Sequence, residues 1–266
     1  MKYGVVAIHG VGAGTEMDRR GFSMELKKRV FTDLKEAEEL WHECVWEGLN
    51  SKIDECVGGV VRKLLKDYHI VRKEEKERWW RAVTRVLANF FIDVGGGFVA
   101  DGLDLGLDFV LYLDSDHGQK IRNAVKQKIL AYADKHPQGI VLVAHSLGSV
   151  IAYDILAEAY LNGETLPVKR LVTFGSPLNW TFELRKAEQK KELNYTSIGN
   201  ISWDNFYYVE DCVPLYEHLS KDRFSAVENI PLKLPVSSSQ IASHCAYWSD
   251  DVLASHMRTR VECEEG

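Results

Sequence analysis

The sequence lacks the marks of a disulfide scaffold or a zinc site. Its five cysteines, Cys44, Cys56, Cys212, Cys245 and Cys263, are odd in number, scattered and free of any Cys-x-x-Cys. They read as reduced thiols, which fits a cytoplasmic protein. A basic excess is also missing: 33 Lys and Arg stand against 39 Asp and Glu, for a net charge of -6, so no nucleic-acid partner is expected. No long hydrophobic run is free of charge. The most apolar stretch, Val94 to Leu113, carries Asp101, Asp104 and Asp108. Each would cost roughly 2.5 to 3.5 kcal/mol at a bilayer centre, which excludes a simple spanning helix. Strand-like sequence begins at Tyr3 and leaves no room for a charged and then apolar leader, so secretion by signal peptide is not expected.

Cofactor signatures are missing too. His42, His69, His117 and His136 stand singly in polar surroundings, with no His-Glu-x-x-His, so no metal is expected. The loop Gly10-Val11-Gly12-Ala13-Gly14 follows a strand, but Thr15 occupies the place where a dinucleotide fingerprint needs glycine or alanine, and Gly-Lys-Ser/Thr does not occur. No cofactor is expected. Internal repeats and Ser/Pro-rich linkers are also lacking.

What is present is a chain of 266 residues, 45% hydrophobic and 27% charged, enough to bury one large core. We read residues 1–266 as one domain. Apolar runs at Gly4 to Ile8 and Gly139 to Ala144 read as buried strands, Val168 to Phe174 reads as another strand, and weaker ones fall at Trp41 to Trp46, Asn205 to Val209 and Ile230 to Leu234. Helical patterns fall at Gly21 to Glu39, Ile121 to Tyr132, Val150 to Leu161 and Tyr247 to Val261. Strands alternating with helices predict an α/β fold with a mainly parallel sheet and helices on both faces. Residues 50–113, with Trp79, Trp80, Phe90, Phe91, Phe98 and Gly95-Gly96-Gly97, read as a helical insertion.

Chemistry enters at Ala144-His145-Ser146-Leu147-Gly148, between the clearest strand and a helix. Ser-x-Gly alone is weak, since this composition yields about one such triplet by chance, and Ser197-Ile198-Gly199 is a second copy with no apolar strand before it. The strand-turn-helix setting supplies the specificity. A sharp turn there lifts a serine hydroxyl above the sheet at a helix N-terminus, with the next backbone N–H aimed at a developing oxyanion. The competing reading is a serine that only caps a helix beginning near Val150.

With His9-Gly10 after the first strand and Thr173-Phe174-Gly175-Ser176-Pro177 after a later one, the chain resembles the α/β-hydrolases of the lipase and esterase group. The resemblance covers residues 1–49 and 114–260, and departs from the family's Gly-x-Ser-x-Gly at Ala144. It implies an α/β-hydrolase fold and a Ser, acid, His order along the chain. Three histidines follow Ser146: His218, His244 and His256. His244, in Ala242-Ser243-His244-Cys245-Ala246-Tyr247-Trp248, sits where the family's histidine loop is expected, whereas His256 falls inside the last helix and His218 follows the acid candidate by only seven residues.

Asp211, in Val209-Glu210-Asp211-Cys212-Val213-Pro214, is the expected acid, with Asp204 in reserve and Glu210 pointing elsewhere. A carboxylate that only initiates a turn before Pro214 is the alternative. The backbone N–H groups of Val11 and Leu147 are the expected oxyanion hole, and His9 is read as shaping its loop. The expectation is a serine esterase using Ser146, His244 and Asp211 on a small-molecule or lipid ester. Thioester cleavage or acyl transfer by the same triad, and a non-catalytic binding protein on the same fold, stay open. The insertion suits a cap over the site, with a transient membrane-surface contact, or plain packing on the sheet.

Overall fold

The computed structural model describes residues 1–10, 21–46, 112–113, 115–187, 197–211, 213–214, 218–234 and 240–262. Val11 lies outside this set, as do Cys212 and, apart from residues 112 and 113, the insertion at 50–113 with its expected role as a cap.

Six strands form one sheet: β1 (Gly4–Ile8), β2 (Trp41–Cys44), β3 (Ile140–His145), β4 (Val168–Phe174), β5 (Ser202–Tyr208) and β6 (Val227–Leu232). All neighbouring pairs are parallel, in the order β2-β1-β3-β4-β5-β6. Every residue of β1 and β3 is buried, which is why both read as unbroken apolar runs without alternation. Alternate side chains serve two cores. Val6, Ile8, Leu142 and Ala144 face one side, with residues of α3 (Ser115–Ala133), α4 (Leu147–Leu161) and α5 (Leu178–Ala187). Val5, Ala7, Val141 and Val143 face the other, with α1 (Met24–Val30), α2 (Leu34–Leu40) and α7 (Asp251–Arg260). The class is α/β, with helices on both faces of a parallel sheet.

Several boundaries differ from the sequence reading. The stretch Gly21 to Glu39 is two helices, because Asp33 leaves the helical region and its carboxylate caps α2, accepting from Lys35 N (2.8 Å) and Glu36 N (3.0 Å). The last helix is likewise divided. A short α6 (Gln240–Cys245) and a 3₁₀ turn (Ala246–Ser249) precede α7, whose start is capped by Asp250 accepting from Leu253 N (2.7 Å). Among the described residues no helix is long and apolar enough to cross a membrane.

This topology fixes where a site can form. With all strands parallel, their carboxyl ends share one edge, and the chain reverses its direction of sheet growth between β1 and β3. Ligand sites of open α/β sheets favour that crevice.

Candidate active site

The β1 and β3 ends meet closely at that reversal. A Cβ on Gly10 would lie 2.5 Å from Ser146 Cβ, and one on Gly148 would lie 2.4 Å from the His9 carbonyl oxygen. Both positions therefore require glycine, which gives the Ser-x-Gly spacing a steric cause. Helix α4 begins at Leu147, three residues earlier than the sequence reading placed it.

Ser146 occupies the turn with φ 53° and ψ -130°, and is the one non-glycine residue with positive φ among the described residues. Such a conformation costs roughly 1 to 3 kcal/mol and persists only where the surroundings impose it. Here Ser146 N donates to the Phe174 carbonyl (3.1 Å), and Ser149 Oγ bridges the Ser146 carbonyl oxygen (2.5 Å) and Ser176 Oγ (2.7 Å). Ser146 stands at the helix N-cap position, yet its side chain makes no capping hydrogen bond. Capping thus does not account for it. Leu147 opens the helix, so its N–H is one of the first-turn amides that lack an intrahelical acceptor.

His244 is brought to the same edge by α6, a short helix where the sequence suggested a loop. Its Nδ1 lies 2.9 Å from Asp211 Oδ2 and 3.1 Å from Oδ1, so Nδ1 carries the proton and Nε2 is the nitrogen able to accept one. Asp211, fully buried just past β5, is held from two further directions. Val213 N donates to Oδ1 (2.9 Å) and Tyr247 Oη–H donates to Oδ2 (2.8 Å). Burial and the adjacent Asp211 charge push the Tyr247 phenol well above its usual range, keeping it a donor. Tyr247 Oη in turn accepts from Tyr208 N (3.0 Å), tying the acid to the end of β5. Gly175, at φ 57°, passes directly beneath the pair: a Cβ there would lie 2.8 Å from His244 Cε1 and 3.1 Å from Asp211 Oδ2. Among the described residues no hydrogen bond joins Ser146 Oγ to His244.

The other sequence candidates lie elsewhere. Asp204 sits near the start of β5 and bonds Arg260 Nε (2.7 Å) and His256 Nε2 (3.3 Å), away from the edge that carries Ser146. Burial raises its carboxyl, but these two hydrogen bonds outweigh that and hold it below its ordinary value. His218 itself lies in no helix or strand, and its carbonyl accepts from Asn179 Nδ2 (2.8 Å). Glu210 is exposed. His9 donates from Nδ1 to the Gly10 carbonyl and stacks on Trp46 at 5.3 Å, with Trp46 Nε1 donating to the His9 carbonyl (2.9 Å).

Sequence reasoning missed Tyr247 and Gly175. Tyr247 looks like an ordinary core aromatic, and only its hydroxyl contact reveals its place. Gly175 lies in Thr173-Phe174-Gly175-Ser176-Pro177, where pattern alone shows no reason for glycine.

A serine at a strained strand-helix turn, where a helix opens with amides that lack intrahelical acceptors, on the sheet edge that carries an Asp-oriented imidazole, can supply a nucleophile, a proton acceptor and an oxyanion donor. Searches of the sequence against protein-family models and against curated proteins give no match.

Proposed function

We propose that this protein is a serine hydrolase of the α/β-hydrolase kind that cleaves carboxylic esters through Ser146, His244 and Asp211. The observation that carries the proposal is the strained, uncapped Ser146 at φ 53° and ψ -130°, on the same sheet edge as the buried His244–Asp211 pair. Strain at a polar residue on a strand-helix turn, with no structural hydrogen bond gained by its side chain, is the signature of a positioned nucleophile.

In the proposed reaction Ser146 Oγ attacks the ester carbonyl as its proton passes to His244 Nε2. The carbonyl π pair moves onto oxygen, which the Leu147 N–H faces. Collapse of this intermediate breaks the bond to the alcohol oxygen, and His244 returns the proton to that oxygen. Water then repeats the sequence on the acyl-enzyme, releasing the acid and free Ser146. Asp211 stays ionised throughout and stabilises the imidazolium. A catalytic hydrogen bond such as the proposed one from Ser146 Oγ to His244 Nε2 often forms only in the substrate complex.

Hydrolysis of p-nitrophenyl esters from acetate to palmitate by the wild type and by Ser146→Ala tests the proposal. Loss of roughly 10⁴-fold or more in kcat with an unchanged thermal transition is expected. Retention of a tenth of the activity in the variant contradicts it. Equal turnover of thioesters, or acyl transfer to an added alcohol in preference to water, would redirect the substrate class while keeping the triad.

A further inference from the structure

We infer that His145 is a positioning residue for the base: its ring N–H anchors the backbone of His244 and so sets where the His244 imidazole meets Ser146. This rests on the triad reading above and adds a residue to it. His145 is the last residue of β3, adjacent to Ser146, with its side chain buried. Its Nε2 lies 2.8 Å from the His244 carbonyl oxygen. A carbonyl only accepts, so the His145 proton resides on Nε2 and the bond has one direction.

The ring is also clamped. It packs 4.5 Å from the His244 ring, 5.4 Å from Phe174, 5.7 Å from Trp248 and 5.9 Å from Tyr247, centroid to centroid. Nucleophile and base thus belong to distant stretches of chain, the turn after β3 and α6, and the His145 N–H to His244 O hydrogen bond ties the end of β3 to α6. Asp211 orients the imidazole about its own axis through Nδ1, whereas His145 fixes the height of the α6 backbone above the β3 end. Misplacement by about 1 Å can cost on the order of 100-fold in rate, so one such tether is a sufficient lever.

Two substitutions separate positioning from packing. His145→Gln keeps an N–H near the Nε2 position and loses the aromatic contacts; His145→Phe keeps the ring and loses the donor. Positioning predicts Gln above Phe in kcat, with Phe lowered about 10- to 100-fold, KM little changed in both, and the acid limb of the kcat/KM profile where it stands in the wild type. A packing role predicts the reverse order, Phe above Gln, and overturns the inference. So does a displaced acid limb, which would make His145 a titrating participant.

The low-field NMR signal of the His244 Nδ1 proton facing Asp211 gives a readout independent of turnover. It should be present in the wild type and in His145→Gln and be broadened or lost in folded His145→Phe. Should Phe fail to fold, Gln alone decides, since a loss exceeding 100-fold in the donor-retaining variant refutes the tether. A wild type that turns over no ester, with the NMR pattern intact, would sink the hydrolase reading and leave the tether standing.

Discussion

Gly175→Ala places a methyl group where the structure has none to spare. The new Cβ would stand 2.8 Å from His244 Cε1, 2.9 Å from Nδ1 and 3.1 Å from Asp211 Oδ2. Carbon pairs settle near 3.5 Å, so the His244 ring would have to retreat by about 0.7 Å. Asp211 cannot follow the retreating ring, because it is held by Val213 N and Tyr247 Oη as well. Position 175 also has φ 57°, which adds about 1 to 2 kcal/mol of backbone strain for alanine. The expected outcome is a kcat lowered on the order of 10- to 100-fold, with a stability loss of about 1 to 3 kcal/mol. Ester hydrolysis and a urea midpoint, measured on one preparation, check both. A Gly175→Ala protein with wild-type kcat would refute the view that His244 is fixed in place by this strand end.

Tyr247→Phe removes one donor from Asp211 Oδ2 and the acceptor of Tyr208 N, so stability should fall by about 1 to 3 kcal/mol and kcat several-fold with KM unchanged, as steady-state kinetics and chemical denaturation will show. Arg185→Met removes the guanidinium that pairs with the fully buried Asp154 carboxylate through two hydrogen bonds of 2.8 and 2.6 Å and leaves it the Tyr112 Oη–H donor; a loss of about 3 to 5 kcal/mol, or on the order of 10 °C in Tm, is expected, and adding Asp154→Leu together with Tyr112→Phe should recover part of it. Burial and the neighbouring His244 lower the His145 pKa well below its ordinary 6.5, so the unfolded chain binds the extra proton first. The neutral ring's stabilisation is complete above pH 6.5 and declines as pH falls from there toward the folded value, by about 1.4 kcal/mol per pH unit. Denaturation at pH 7 and pH 5 should therefore show a larger drop for the wild type than for His145→Gln, and equal drops would refute a buried neutral His145.

β1 and β3 were legible because they are apolar runs punctuated by glycine and buried on both faces, and β4 because its last four residues, Leu171 to Phe174, are buried and end at Gly175. The break between α1 and α2 was not legible, since Phe31-Thr32-Asp33 carries no glycine or proline and only the Asp33 cap marks it. Ser146 could be found from its strand-turn-helix setting, and Asp211 from its place after a strand. The helix that carries His244 does not show in the sequence, because six residues of α6 are too few to display a helical period. Tyr247 and His145 are a different case. Both act through one polar atom on an otherwise buried ring, and hydrophobic pattern cannot distinguish that atom's partner from packing.

The central claim is that Ser146 is a nucleophile activated by His244. Intact-mass analysis after exposure to a fluorophosphonate probe tests it most directly. The wild type should gain a single adduct mapped to Ser146, Ser146→Ala should gain none, and His244→Ala should react at least 100-fold more slowly with its thermal transition preserved. An unmodified wild type, an adduct on another residue, or undiminished labelling of His244→Ala would contradict it.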